Sequence, residues 1–179
     1  MRSFLLLGLF VLSFSSLQAQ VLTFDHGEME FYTNTVLSDI EAVTEEVEVK
    51  LDVQTGTIEI AVNINSFEFE YETMKEHFND KYMESDKFPQ ATFKGKITQD
   101  ISTINEELEV DGSGDLTIHG VSRKIEVKAT LSKNDGLTVI KTKFPVVFKD
   151  YGVDDPSILT KPVAKNVEVK CTLYLKGDG

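Results

Sequence analysis

Apolar and polar residues alternate with a period of two along most of the chain, the spacing of a strand with one buried face. Val47, Val49, Leu51 and Val53 alternate with Glu48, Lys50 and Asp52. Gln54-Thr55-Gly56-Thr57 then turns the chain, and Ile58, Ile60, Val62 and Ile64 return. This predicts a β-hairpin with a single apolar face. At Asn65-Ser66 the phase flips, and Phe67, Phe69 and Tyr71 become the apolar positions, with Glu68 and Glu70 between them. A regular strand cannot exchange its buried face in this way, so a bulge or sharp bend is predicted near Ser66.

Further strands follow the same rule. Phe24 to Thr33 reads as a weaker first strand interrupted by Gly27, with a faint continuation at Val36 to Ile40. Ala91, Phe93, Gly95 and Ile97 share a face, as do Leu108, Val110, Gly112, Gly114, Leu116 and Ile118, where the glycines suggest curvature or close backbone approach. His119-Gly120-Val121-Ser122 turns into Ile125, Val127, Ala129 and Leu131. Asn134-Asp135-Gly136 turns into a strand ending near Phe148, and Asn166 to Lys176 is the last. The exception lies between Glu72 and Asp86, where Met74, Phe78, Tyr82 and Met83 recur at helical spacing until Phe88-Pro89 ends the run. About eight antiparallel strands with one helix (residues 72–86) predict a closed barrel, either packed solid or holding one small ligand.

The N-terminus changes the length available for folding. Met1-Arg2, the apolar run from Phe4 to Phe14 and the segment ending at Ala19 have the layout of an export signal. A cut after Ala19 leaves a single domain over residues 20–179, and the expected location is periplasmic or secreted. The apolar run is too short to cross a bilayer, and no transmembrane anchor is expected.

Charge narrows the partners. The chain carries 18 Lys+Arg against 30 Asp+Glu, a net charge of −12, and loss of Arg2 with the signal makes it −13. Such a surface repels phosphate backbones, so no nucleic-acid partner is expected. Arg123 is then the sole arginine, which disfavours a bidentate clamp for phosphate or carboxylate.

Two segments are more specific than the alternation. One runs from Met74 to Phe93 and ends in Phe88-Pro89-Gln90-Ala91-Thr92-Phe93; the other is Gly114-Asp115-Leu116-Thr117-Ile118-His119-Gly120-Val121. In this order they resemble the YceI-like family, secreted lipocalin-like barrels regarded as polyisoprenoid-binding proteins. The resemblance covers essentially the whole mature chain. It implies an eight-stranded antiparallel lipocalin-like β-barrel with a helix near one end and a long apolar tail held in its pore.

Twelve Phe and no Trp fit that implication. The expected tunnel lining is Phe67, Phe69, Met74, Phe78, Tyr82, Met83, Phe88, Phe93, Ile118, Phe144 and Phe148. At about 25 cal/mol per Å² of apolar surface, a tail of several isoprene units gains ~10 kcal/mol gross before association costs. Lys75, Lys81, Lys87, Arg123 and Lys124 fall near one mouth, but a solvated face explains them equally well. The expected ligand is therefore a long-chain apolar lipid with an uncharged head, such as an isoprenoid quinone, bound by a monomer or homodimer. The alternative is a solid-core barrel that serves a protein partner of the envelope.

No catalytic constellation, metal site or cofactor is expected. His26, His77 and His119 are far apart and lack ligand spacing, and each is assigned a structural role. Adjacent acids such as Glu45-Glu46 point to opposite faces of a strand, and Cys171 falls on the buried face of the last strand as a small hydrophobe. The stretch from Asp150 to Ser157 reads either as a lid over the mouth or as a plain Gly/Pro connection, with the plain connection favoured.

Overall fold

A computed structural model describes residues 21–34, 39–104, 106–153 and 167–177, so the segment read above as an export signal and residues 154–157 of the stretch from Asp150 to Ser157 lie outside the described residues. The strands are β1 (Val21–Asn34), β2 (Asp39–Thr44), β3 (Val47–Asp52), β4 (Thr57–Asn63), β5 (Glu68–Phe69), β6 (Gln90–Ile97), β7 (Leu108–Ile118), β8 (Val121–Asn134), β9 (Leu137–Val146) and β10 (Val167–Gly177). Each pairs antiparallel with its neighbours, and β1 closes the sheet by pairing with β10.

On its other side β1 meets β3 near its start, with Thr23 opposite Lys50, and β2 near its end, with Met29 opposite Thr44. Thr23 to Met29 spans as many residues as Thr44 to Lys50, so β2 and β3 are two lengths of one strand interrupted at Glu45-Glu46. Counted this way, the closed antiparallel barrel has eight strands, as the alternation predicted. β5 is a two-residue addition on β2 and lies outside the barrel wall.

The first strand reads weakly in sequence because its phase slips. Phe24 sits opposite Leu175 but His26 sits opposite Tyr174, which leaves Asp25 as a bulged residue. The inward positions therefore pass from Leu22 and Phe24 to Gly27, Met29 and Phe31. The chain makes a matching slip between Thr44 and Val47, both of which are buried. There the Glu46 N–H donates to Thr44 Oγ1 (3.0 Å) and the Val47 N–H to the Glu45 carbonyl (3.1 Å), so the backbone groups at the slip remain bonded.

Tight turns have the expected chemistry. His119-Gly120 (φ 51° and 74°) and Asp135-Gly136 (φ 49° and 84°) each place two residues at positive φ, the requirement of a type I′ hairpin turn. At the β3–β4 turn, Asp52 Oδ1 accepts from the N–H groups of Thr55 (3.0 Å) and Gln54 (2.9 Å), and these bonds, that from Thr55 foremost, hold its carboxyl below the usual carboxylate range.

The two ends of the barrel are built differently. At the far end the β6–β7 connection folds inward. Its Ile101 is buried, and Leu51, Leu131, Leu173 and Leu175 are fully buried beside it in the core. At the other end the chain leaves between β4 and β6, which are themselves paired at Asn63 and Gln90, and returns as a cap of residues 64–89. The phase flip at Ser66 is the start of this excursion. It is a single 3-10 turn, Ile64–Ser66, with the Asn63 side chain accepting from the Asn65 N–H (3.1 Å). The base of the cap is stitched by Ile64 N–H to the Pro89 carbonyl (2.9 Å) and by Ser85 Oγ to Asn65 Oδ1 (2.8 Å).

Gly27 tests the closure. Its φ is +132°, and a Cβ there would lie 2.2 Å from the Thr172 carbonyl oxygen of β10. Gly27→Ala is expected to destabilise the barrel by about 2–3 kcal/mol in urea unfolding. Gly136→Ala, where a Cβ meets nothing within 4 Å, is expected to cost only about 1 kcal/mol from its positive φ.

Candidate functional site

An apolar cavity of about 150 Å³ occupies the barrel interior. Its wall is made by inward positions of the strands: Ile58, Ile60 and Val62 from β4, Leu116 and Ile118 from β7, Ile125, Val127 and Ala129 from β8, and Phe144 and Val146 from β9. The sequence rule that inward positions alternate therefore finds most of the wall. What it does not find is which inward residues face open space.

Of the expected lining, Phe67, Phe78, Met83, Phe93, Ile118, Phe144 and Phe148 face the cavity. Phe69, Met74, Tyr82 and Phe88 do not line it, and each has a local reason. The helix is shorter than the predicted 72–86 span. An α-helix α1 (Glu72–His77) with no buried residue passes into a π turn over Phe78–Tyr82. In the π turn the Met83 N–H donates to the Phe78 carbonyl (2.8 Å), so the partner of Phe78 on the inward face comes five residues later. Of the two neighbours expected in the lining, Met83 therefore faces the cavity and Tyr82 does not, and Met74 drops off the face one turn earlier. Phe69 forms a second layer, its ring 5.6 Å from Phe31 and 5.1 Å from Phe78. Phe88 lies edge-on to His119 (4.4 Å) and fills the space over Gly120 outside the cavity.

Sequence reasoning missed Phe31, which stacks on Phe78 at 5.1 Å and packs on Phe67 at 5.4 Å. These three rings close the capped mouth. The signal for Phe31 was concealed by the bulge at Asp25, which breaks the alternation of β1.

The rim of the cap is polar. His119 Nε2 donates to Glu84 Oε2 (3.1 Å), and Lys87 pairs with the other oxygen of the same carboxylate. The β7–β8 turn is thus tied to the end of the cap, and the imidazole has a structural partner. Lys87 first, and His119 second, hold the Glu84 carboxyl below its usual range. Two other cations near this mouth are also engaged: Lys75 with Glu68 (2.7 Å) and Arg123 Nε with the Asp150 carbonyl (3.0 Å). They do not gather into a clamp for an anion.

The wall carries few polar atoms. Thr142 lines it but donates its hydroxyl to the Lys128 carbonyl (2.8 Å). Cys171 also lines it, and burial pushes its thiol up to about 12. Among the described residues no cluster of three or more His, Cys, Asp or Glu is arranged to hold a metal ion. No helix among them is long and apolar enough to cross a membrane.

The profile of the YceI-like domain matches residues 15–175. The chain belongs to the YceI-like family. Solved structures with this fold include a polyisoprenoid-binding domain from Saccharophagus degradans implicated in plant cell wall breakdown, 13% identical with a TM-score of 0.76, covering 90% of this chain and 100% of that one. BcnA of Burkholderia cenocepacia is 18% identical with a TM-score of 0.70, covering 83% of this chain and 95% of that one. The YceI protein of Campylobacter jejuni is 14% identical with a TM-score of 0.54, covering 100% and 99%. Comparison with curated protein sequences finds no match. At these identities the likeness among YceI-like chains is one of fold.

Two measurements check the site. Thiolate is the reactive form of cysteine, so Cys171 is expected to be silent to Ellman's reagent near pH 8 in the folded protein and to titrate fully in urea. A lowered carboxylate pKa contributes stability above the unfolded-state value, about 4.3 for Glu, and that contribution is lost as pH falls through the lower folded value. Glu84→Gln is therefore expected to lower Tm near neutral pH and to flatten the loss of Tm on acidification below that value.

Proposed function

We propose that this YceI-like barrel binds the apolar tail of a lipid, of isoprenoid type and with an uncharged head, and carries or sequesters it in the cell envelope after export. The observation that carries this reading is the interior cavity walled by aliphatic and aromatic side chains, in a barrel closed at one end by leucines and at the other by three phenyl rings. The polyisoprenoid-binding domain of the same fold supports it.

Area supplies the affinity. Water leaving such a wall gives up few hydrogen bonds, and each buried CH₂ of a ligand contributes about 0.8 kcal/mol. The cavity as it stands holds roughly one isoprene unit, since an engineered apolar cavity of this size takes one benzene. A longer tail therefore displaces the rings of Phe31, Phe67 and Phe78 at the capped mouth. Phe67 and Phe78 stand on the cap and not on the barrel wall, so they can move without breaking a barrel ladder.

The head would lie at the capped end, where Lys75, Lys87 and Arg123 already have partners and the chain as a whole is strongly acidic. That favours an alcohol or quinone over a diphosphate. The lining residues supply no pair of groups suited to acid–base or nucleophilic work, and the role proposed is binding without catalysis. A solid-core barrel serving a protein partner is the second reading, and the interior cavity counts against it.

Native mass spectrometry of protein purified without detergent, followed by organic extraction, tests the reading. A co-purifying neutral lipid is expected, as is binding of farnesol at least about tenfold tighter than farnesyl diphosphate. Recovery of no lipid together with no uptake of either compound would sink the lipid-binding reading. Tighter binding of the diphosphate would overturn the uncharged head alone.

A further inference from the structure

We infer that Gly112 sets the length of the tail that the barrel accepts, an inference that rests on the lipid-binding reading. Three glycines lie on the inward face where β6 and β7 pair, and two of them are sterically required. A Cβ at Gly114 would stand 2.3 Å from the Lys94 carbonyl oxygen, and one at Gly95 would stand 2.6 Å from the Phe93 ring and 2.7 Å from the Ser113 carbonyl oxygen. Gly112 differs. Its φ is not in the left-handed region, it pairs regularly with Ile97 and Val127, and a Cβ there would meet only the Val127 carbonyl oxygen, at an ordinary 3.6 Å. Neither backbone conformation nor packing demands a glycine at this position.

Glycine within a strand weakens it, so a residue that the fold does not require leaves the local stability lower than it need be. What the missing side chain provides is space inside the cavity, which Gly112 lines. The position is also the first inward step above the floor. Val110, the next inward residue of β7 toward the far end, is buried together with Ile97, Leu131 and Ile140. Leu51, Leu173 and Leu175 are fully buried in the same core but do not face the cavity. With that end sealed, a tail reaches this point last, after passing the capped mouth. A side chain at position 112 would therefore raise the floor and leave the mouth and upper wall unchanged.

Gly112→Ala, Gly112→Val and Gly112→Leu, with the wild type, are to be compared for thermal unfolding and for binding of geraniol, farnesol, geranylgeraniol and a longer polyprenol. Tm is expected to hold or rise across the series. Affinity for the shortest alcohol that binds the wild type is expected to stay within about twofold. Affinity for the longest is expected to fall on the order of 10- to 100-fold in Gly112→Leu, because the added side chain occupies the space that the end of the tail would fill, and by less in Gly112→Val. If Gly112→Leu unfolds, Gly112→Val carries the comparison. A folded variant with the wild-type length profile, or with equal loss at every length, overturns the inference and leaves lipid binding intact. Uptake of no alcohol by the wild type overturns lipid binding itself and this inference with it.

Discussion

Closure of β1 onto β10 is the constraint on which the other features of the molecule depend. An open sheet of these strands would expose two long edges of unpaired backbone groups. Closing it removes both edges and turns one face of every strand into a common interior, which must then be apolar. Closure also sets local demands: a bulge at Asp25, a matching slip at Glu45-Glu46 on the neighbouring strand, and a residue without a side chain at Gly27, where the β10 backbone approaches. The slips re-aim the inward positions so that Met29 and Phe31 reach the capped mouth, where the ligand is proposed to enter.

An eight-stranded barrel is just wide enough for side chains to fill. Small changes in the size of inward residues therefore decide whether it is solid or hollow. Here Gly112, Ala91 and Ala129 leave space among larger neighbours, and the far end is sealed by aliphatic residues. The capped end is closed by rings, two of which come from an excursion between adjacent strands. The π turn matters to this design because it shifts the helical phase by one residue and turns Met83 inward beside Phe78. The rim contact between Glu84 and His119 fixes where the cap meets the barrel wall.

Much of this was legible in the residues. Alternation located the strands, Asp135-Gly136 and His119-Gly120 marked their hairpins, and Cys171 was placed correctly on a buried face. The failures share a cause. Phe31 was hidden by a bulge, Tyr82 was placed in the lining alongside Met83 although the π turn brings only Met83 inward, and Phe69 and Phe88 were grouped with the lining because they are aromatic and close in sequence. Each error arises where the backbone departs from a regular period, and a departure of one residue reverses or rotates the side chain.

By itself the sequence determined the closed antiparallel barrel, its inward face, its acidic exterior and the family resemblance, because these depend on local periodicity, turn chemistry and composition. Only the tertiary structure decided that the interior holds a cavity, which rings close its mouth and which glycine stands over open space. Alternation says which way a side chain points. Whether it meets another atom depends on the sizes of residues brought together from strands far apart in the chain, and that is a property of the assembled barrel alone.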